Sequence, residues 1–268
     1  MQTRLEAPAV EPLSRQGEGI ELARVARRYR GRRGEVAALA EVDLTVAPGE
    51  VVAVVGPAGC GKSTLLELVA GLQEPDEGRV SVAGSASGEA RRTASAYMPQ
   101  RDLLLPWRDA LSNAALALEC HGVPKREARR RAAPLFERFG LAEFEHSYPA
   151  DLSGGMRQRV AFLRTLLPGR SVLLLDEPFG ALDSITRASM QEWLAGALAD
   201  EPRTTLLVTH DVEEALYLAG RVVVMSPRPG RVIEQLVAAI ERDRPRREVV
   251  TDPDFARLKE SALEALAR

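Results

Sequence analysis

One short segment constrains the fold of this chain more than any other feature of its sequence. Residues 56–63 read Gly-Pro-Ala-Gly-Cys-Gly-Lys-Ser, a G-x-x-x-x-G-K-[ST] pattern. An apolar run at residues 51–55 precedes the pattern, and a stretch with helical spacing at residues 63–72 follows it. A glycine-rich loop between a buried strand and a helix is the usual context of a phosphate-binding loop in α/β proteins. We therefore expect a phosphorylated ligand to bind here.

Each part of this loop has a chemical task if a phosphate binds there. Glycines allow several backbone N–H groups to point at one anion, and the positive end of the following helix dipole adds to their attraction. Lys62 supplies a full positive charge, and the Ser63 hydroxyl is suited to ligate Mg²⁺. The alternative is an ordinary strand-to-helix turn with a chance lysine, but only three of the 36 basic residues are lysines.

Two consecutive carboxylates follow a second apolar run. Residues 172–175 read Val-Leu-Leu-Leu, and Asp176 and Glu177 come directly after them. In open α/β sheets, ligands bind at the carboxyl ends of the strands. Asp176 therefore suits a Mg²⁺ shell, and Glu177 suits an acceptor that orients or deprotonates an attacking water. Alone, such a pair more often marks a solvated turn, whereas beside a phosphate loop the catalytic interpretation is favoured.

A third motif combines an N-cap serine with two glycines. Residues 152–159 read Leu-Ser-Gly-Gly-Met-Arg-Gln-Arg, and the helix that Ser153 opens is predicted to continue through residues 160–167. A helix start of this kind is a second place where an anion can bind. A bare capping motif is the commoner meaning of Ser-Gly-Gly and remains the alternative.

Apolar runs alternate with helical segments along much of the chain. The texture of buried parallel strands recurs at residues 51–55, 172–175, 205–209 and 221–225. Strands that alternate with helices predict a doubly wound α/β core. The other predicted elements are a hairpin of strands at 20–29 and 36–46, short strands at 79–83 and 94–98, a helical block over about 108–140, and a C-terminal helix that starts at Asp252 and Pro253.

Composition argues against several classes of protein. The net charge of −2 and the pI near 6.1 give no global basic field that would attract nucleic acid. The two cysteines, Cys60 and Cys120, match neither a disulfide framework nor a zinc-ligand spacing, which indicates a reducing compartment. The sequence has no secretory pattern at its start and no run of about 18 uncharged apolar residues. We therefore expect a chain that neither crosses a membrane nor is exported.

Taken in this order, the three motifs resemble the nucleotide-binding subunit of an ATP-binding cassette (ABC) transporter. The resemblance extends from about residue 20 to the C-terminal helix. It implies an α/β P-loop NTPase fold with a RecA-like parallel-sheet core, an antiparallel β-subdomain and an inserted α-helical subdomain. The implied divisions are a flexible leader at 1–17, an ABC ATPase domain at 18–240 with its helical subdomain at about 101–159, and a basic turn with a short helix at 241–268.

The resemblance also assigns roles to single residues. It implies that Glu177, His210, Gln100 and Lys62 act in catalysis and that residues 181–183 form the D-loop. The implied nucleotide-binding residues are Tyr29, Gly56, Pro57, Ala58, Gly59, Cys60, Gly61, Lys62, Ser63 and Thr64, joined from a second copy of the chain by Ser153, Gly154 and Gly155. The implied Mg²⁺ ligands are Ser63, Gln100 and Asp176.

Four of these positions have plainer alternatives. Tyr29 is otherwise an ordinary strand aromatic, and Gln100 a solvated loop residue. His210 is otherwise a capping or core histidine, since it precedes Asp211, which suits a helix N-cap. Cys60 is expected to be a small space-filler in the phosphate loop, and we hypothesise that alkylating it blocks nucleotide binding and that MgATP protects it.

The resemblance to this family also implies a reaction, its cofactors and its partners. It binds ATP and Mg²⁺ and hydrolyses ATP to ADP and phosphate, with two copies enclosing two ATP molecules. The helical subdomain transmits the motion to a transmembrane permease, which works with an extracytoplasmic solute-binding protein. The implied location is the cytoplasmic face of the membrane, with no nucleic acid partner. Residues 103–107 offer apolar surface to a permease, although Trp107 equally suits buried packing.

Short segments outside the three motifs bear on the kind of importer and on the alternative functions. The segments at 104–107, 178–183 and 227–231 resemble those of subunits that serve importers of nitrate, sulfonates and taurine. The segment Phe-Leu-Arg-Thr-Leu at 162–166 departs from that group and resembles members linked to pyrimidine precursors of thiamine or to riboflavin. The alternative is a soluble non-transport ABC ATPase that acts on nucleic acid or ribosomes. Such a protein usually carries a coiled-coil insertion, a second cassette or a basic face, and this sequence has none of them. A cassette that binds ATP without hydrolysing it usually lacks the counterpart of Glu177 or of His210. This sequence has both residues, which favours an active ATPase.

Overall fold

Two β-sheets of different character organise the chain. A computed structural model describes residues 18–31, 34–180, 182–200, 202–241 and 244–268. The strands are β1 (Ile20–Gly31), β2 (Gly34–Val46), β3 (Val51–Val55), β4 (Glu77–Val82), β5 (Ser95–Met98), β6 (Val172–Asp176), β7 (Thr204–Thr209), β8 (Arg221–Met225) and β9 (Val232–Val237). Strands β1, β2 and β4 form an antiparallel sheet in the order β2-β1-β4, and the other six form the order β5-β6-β7-β3-β8-β9.

The second sheet is parallel from β5 to β8, and β9 pairs antiparallel at its edge. The helices are α1 (Lys62–Val69), α2 (Gly88–Ala94), α3 (Ala110–Cys120), α4 (Lys125–Arg138), α5 (Gly154–Leu166), α6 (Ser184–Asp200), α7 (Val212–Leu218), α8 (Arg246–Val250) and α9 (Pro253–Ala267). The expected α/β class, with a parallel core sheet and a separate antiparallel sheet, is confirmed.

The parallel strands are apolar throughout because the core lies on both faces of their sheet. Ala53 and Val55 of β3 belong to the cluster that includes the helical block, whereas Val52 and Val54 belong to the cluster under the antiparallel sheet. Successive side chains of a strand point to opposite faces, so a strand buried on both sides needs an apolar residue at every position. This explains why the run at 51–55 lacks alternation.

Helix α3 packs against both α4 and α5, and these three helices build most of the block between β5 and β6. Phe162 of α5, one of the residues that depart from the sulfonate-importer pattern, is buried with its ring edge-on to Trp193 at 5.1 Å between centroids. The ring of Phe139 meets Trp193 at the same distance. The departure at 162 is therefore part of an aromatic core cluster.

The structure adds three elements that the sequence analysis does not predict. Helix α2 is short and lacks an apolar stripe, β9 is an edge strand with alternating half-buried residues, and α8 occupies part of the expected basic turn. Helix α9 starts as predicted, with Asp252 as its N-cap, and buries Phe255 and Ala262 against the core. The predicted leader at 1–17 lies outside the described residues.

No helix in the described part of the chain is both long and apolar enough to span a bilayer.

Candidate active site

The predicted site residues converge at one edge of the parallel sheet. The phosphate loop follows β3, Gln100 follows β5 by two residues, and Glu177 directly follows β6. His210 follows β7, which lies between β6 and β3. Because these strands are parallel, their carboxyl ends share an edge, and loops far apart in sequence meet there.

The phosphate loop is built around backbone conformations that require glycine. Gly59 and Gly61 have φ values of 75° and 108°, in the left-handed region. At Gly61 a Cβ would also lie 2.8 Å from the Ala38 carbonyl oxygen, so a side chain is excluded on two grounds. Gly61 is the N-cap of α1 and offers no side-chain cap, which leaves the first N–H groups of the helix available to an anion.

Lys62 folds its side chain back over the loop. Its Nζ donates to the carbonyl oxygens of Gly56 at 2.8 Å and Pro57 at 3.2 Å, and the residue is buried. A buried ammonium held by two neutral carbonyls keeps its charge uncompensated within the loop. The arrangement attracts a polyanion such as a nucleotide phosphate chain.

Asp176 lies at the bottom of the site beside the first turn of α1. Its Oδ1 accepts from the Ser63 hydroxyl at 3.2 Å, and its Oδ2 accepts from the Tyr97 hydroxyl at 3.0 Å. Burial raises the pKa of the Asp176 carboxyl, and the two hydroxyl donors lower it in part. A buried carboxylate held by hydroxyls beside a serine oxygen is the hard oxygen donor set that fits Mg²⁺.

Glu177 is the meeting point of the catalytic candidates. Its Oε2 accepts from Gln100 Nε2 at 2.9 Å and lies 3.3 Å from His210 Nδ1. The residue has a φ of 43°, a left-handed conformation that costs energy for a non-glycine residue and is commonest at functional sites. Of the three predicted Mg²⁺ ligands, Ser63 and Asp176 therefore contact each other, whereas the Gln100 side chain contacts Glu177.

His210 is exposed, and the capping role belongs to its neighbour. The Asp211 carboxylate accepts from the N–H groups of Glu213 and Glu214 in the first turn of α7. The histidine side chain is 55% exposed and points at Glu177, so it is neither the cap nor a core residue. Its plainer alternatives are therefore excluded by the geometry.

Ser153 caps α5 by accepting from the Met156 N–H at 3.2 Å. The serine is exposed, Gly154 is half-buried, and Gly155 packs close to Thr186 and Met190 of α6. Among the described residues, the hydrogen bonds of Ser153 stay within its own helix. Ser153 is thus exposed at the helix start, whereas Gly155 is buried against α6.

Tyr29 lies on β1, and its hydroxyl reaches the first turn of α1 and the loop that follows this helix. The hydroxyl donates to Gln73 Oε1 at 3.0 Å and lies 3.3 Å from Thr64 Oγ1. The Arg27 guanidinium stacks on the ring at 5.1 Å, and the residue is 36% exposed. An aromatic held this way beside the phosphate loop is suited to stack on a nucleotide base.

Two residues near the loop are missed by the sequence analysis. Tyr97 touches Asp176, and Arg228 donates from Nε to the Gly59 carbonyl at 3.0 Å. Arg228 belongs to the segment at 227–231, whose composition suggested a subgroup but no contact. The sequence analysis predicts the strand at 94–98 but not its neighbour, so the contact of Tyr97 with Asp176 follows only from the pairing of β5 with β6.

Cys60 is 1% exposed and packs in the cluster beneath the antiparallel sheet. This agrees with a space-filling role, and burial also raises the pKa of its thiol. Because thiolate fraction and access both control reactivity, a thiol reagent should scarcely attack Cys60 in the native chain. We therefore expect little alkylation of Cys60 in the folded protein, contrary to the hypothesis that such alkylation blocks nucleotide binding.

We expect a maleimide to modify Cys120, which is exposed, and to leave Cys60 intact in the native chain. Peptide mass spectrometry after timed labelling measures both sites, and labelling in denaturant shows that Cys60 reacts once it is accessible. A Cys120→Ser variant should remain unlabelled under native conditions. Labelling of Cys60 at a rate near that of Cys120 would contradict the described packing.

Comparison with known proteins places the site in context. The family model described as ABC transporter matches residues 39–180. The aliphatic sulfonates import ATP-binding protein SsuB 1 of Rhodococcus jostii is 50% identical over 208 residues, 78% of this chain and 79% of that protein. The taurine import ATP-binding protein TauB of Chromobacterium violaceum is 43% identical over 90% of this chain and 92% of its own length.

A third relative and one solved structure extend the pattern. The formylaminopyrimidine import ATP-binding protein ThiZ of Halalkalibacterium halodurans is 48% identical over 70% of this chain and 73% of that protein. The dimeric structure of MJ0796, a bacterial ABC transporter cassette, matches with a TM-score of 0.71 and 30% identity over 82% of this chain and 98% of that one. The same cassette is also known as a dimer bound to ADP and phosphate, at 28% identity.

Proposed function

The chain belongs to the ABC transporter family, and from this membership we propose that it is the ATP-hydrolysing subunit of an importer for a small solute. The observation that carries the proposal is the Glu177 carboxylate, which Gln100 and His210 approach from two other strand ends at the edge that also bears the phosphate loop. A binding-only cassette has no need of a carboxylate held in this way. ATP hydrolysis is the reaction that uses all of these groups.

ATP binding is assigned to the loop and to Tyr29. The N–H groups at the start of α1 and the Lys62 ammonium hold the phosphates, while the Tyr29 ring stacks on the base. Lys62 already lies over Gly56 and Pro57, so its charge is in place before the nucleotide arrives. Ser63 and Asp176 would hold Mg²⁺, which would supply positive charge beside the phosphate chain.

The hydrolytic step is assigned to Glu177. Its carboxylate accepts a proton from water as the water oxygen bonds to the γ-phosphorus. The bond from that phosphorus to the bridging oxygen breaks, and ADP and phosphate result. Gln100 and His210 fix the carboxylate, since both contact the same oxygen, Oε2. His210 is also proposed to contact the γ-phosphate, as the family resemblance implies.

A second copy of the chain completes the site. Ser153 is exposed at the start of α5, and this helix start, with Gly154 and Gly155, is proposed to close over the γ-phosphate bound by the partner copy. Helix N-termini bind anions well, which removes the need for an arginine finger. The dimeric state of the related cassette supports this arrangement.

The permease contact is assigned to the segment after Gln100. Leu103 is 58% exposed and Trp107 is 72% exposed, so the alternative of a buried packing role for Trp107 is wrong. Large exposed apolar side chains commonly mark a protein interface. A permease helix seated there would contact residues three to seven positions after Gln100, at the cytoplasmic face of the membrane.

The solute is proposed to be small, in the range of the aliphatic sulfonates, taurine and formylaminopyrimidine for which the named relatives are import ATP-binding proteins. The permease and an extracytoplasmic binding protein select it. In this proposal the phosphate-loop site binds the nucleotide and takes no part in selecting the solute.

The proposal is tested by recovering the partners from detergent-solubilised native membranes. Tagged Glu177→Gln chain with MgATP should retain a multi-span permease together with an external solute-binding protein, identified by mass spectrometry. The matched control is the same chain with Leu103→Ala and Trp107→Ala, which should lose the permease while still binding ATP. Recovery of ribosomes or DNA-repair factors by both chains would instead support the non-transport alternative.

A further inference from the structure

The two oxygens of Asp176 have separate partners. Oδ1 accepts from Ser63, a ligand assigned to Mg²⁺, whereas Oδ2 accepts from the Tyr97 hydroxyl at 3.0 Å. Asp176 is 3% exposed, so solvent offers it little alternative hydrogen bonding. The orientation of this carboxylate is therefore set by one hydroxyl on each side.

The sheet holds Tyr97 in a fixed position for this contact. Tyr97 lies on β5, which pairs in parallel with β6, and its register partner is Leu174, two residues before Asp176. Side chains two residues apart on a strand point to the same face, so Tyr97 and Asp176 emerge on the same side of the sheet. The tyrosine hydroxyl reaches along that face to the carboxylate.

We propose that Tyr97 is a positioning residue that fixes the rotation of the Asp176 carboxylate, so that Oδ1 faces Ser63 and the metal. The inference rests on the proposed function, because it deepens the description of the same Mg²⁺ site. A metal-binding carboxylate is normally oriented by hydrogen bonds to its other oxygen, and loss of such a partner typically weakens metal binding about 10- to 100-fold.

The hydroxyl can be separated from the rest of the side chain. The Tyr97 ring packs against the cluster beneath the antiparallel sheet, a role that phenylalanine fills equally well. Among the hydrogen bonds of the described residues, that of the Tyr97 hydroxyl goes to Asp176. Tyr97→Phe therefore removes the contact to Oδ2 and keeps the packing.

The test measures metal affinity in the Glu177→Gln background, in which bound ATP is not consumed. Mn²⁺ serves as the probe, and electron paramagnetic resonance gives its apparent Kd in the protein–ATP complex. We expect Tyr97→Phe to raise this Kd about tenfold. The affinity for ATP in the presence of EDTA should stay unchanged, since the hydroxyl acts on the metal ligand and leaves the phosphate loop intact.

The matched control is Tyr148→Phe, which removes a hydroxyl from a tyrosine that is 50% exposed and should leave the Mn²⁺ affinity unaltered. Ser63→Ala gives the loss expected from removing a ligand itself. If Tyr97→Phe binds Mn²⁺ as tightly as the parent, or loses ATP affinity equally in EDTA, the positioning role is overturned. If the parent binds no Mn²⁺ that depends on Ser63, the proposed magnesium site fails as well, which separates the two conclusions.

Discussion

Glu177→Gln should lower kcat for ATP hydrolysis by about a thousandfold and leave ATP binding nearly intact. General base catalysis contributes roughly 10²–10⁴ to a rate, and the glutamine amide cannot accept the proton of the attacking water. The substitution keeps the size of the side chain, and the replaced group lies outside the phosphate loop. Steady-state release of phosphate measures kcat, and equilibrium titration with a fluorescent ATP analogue measures affinity.

The matched control for this prediction is Glu192→Gln, which makes the same chemical change on an exposed position of α6. Its kcat should equal that of the parent. Hydrolysis that persists in Glu177→Gln within a few-fold of the parent would show that another carboxylate receives the proton. Asp176 would be the nearest candidate, and the roles assigned to Gln100 and His210 through Glu177 would then be wrong.

The core of the fold was predictable because it depends on local sequence patterns. The run at residues 51–55 is apolar at every position, as a strand buried on both faces requires, and the glycine-rich loop after it is typical of a phosphate-binding turn. Strand β9 escaped prediction because Val-Ile-Glu-Gln-Leu-Val alternates only weakly and lies at a sheet edge. Helix α8 has five residues, too few for a recognisable apolar period.

The site was predictable to a different degree at each residue. The phosphate loop and the Asp176–Glu177 pair follow from spacing and chemistry. Gln100 and His210 came from the resemblance alone, because Gln100 lies 77 residues from Glu177 in sequence and no local pattern links them. Their meeting depends on the strand order β5-β6-β7-β3, which is a property of the whole sheet. The contact between Tyr97 and Asp176 depends on register as well, and register is not encoded in either strand alone.

Lys62→Ala should weaken ATP binding at least about a hundredfold, equivalent to about 2.7 kcal/mol. The ammonium is buried, and two carbonyl oxygens hold it over the loop, so its positive charge acts on the phosphates with little screening by water. The backbone N–H groups of the loop remain in the variant and retain a residual affinity. Titration of the Glu177→Gln protein with a fluorescent ATP analogue, with and without Lys62→Ala, gives the ratio of the two dissociation constants directly.

The chain offers a clean control for this prediction because it has three lysines. Lys125→Ala removes the same charge from an exposed position in the first turn of α4 and should leave ATP affinity unchanged. Lys62→Arg should not restore binding, because a planar guanidinium is larger and branched and does not reproduce the compact ammonium that donates to Gly56 and Pro57. If Lys62→Ala and Lys125→Ala bound ATP equally well, phosphate recognition at this loop would rest on the backbone alone. The buried charge would then require a different explanation.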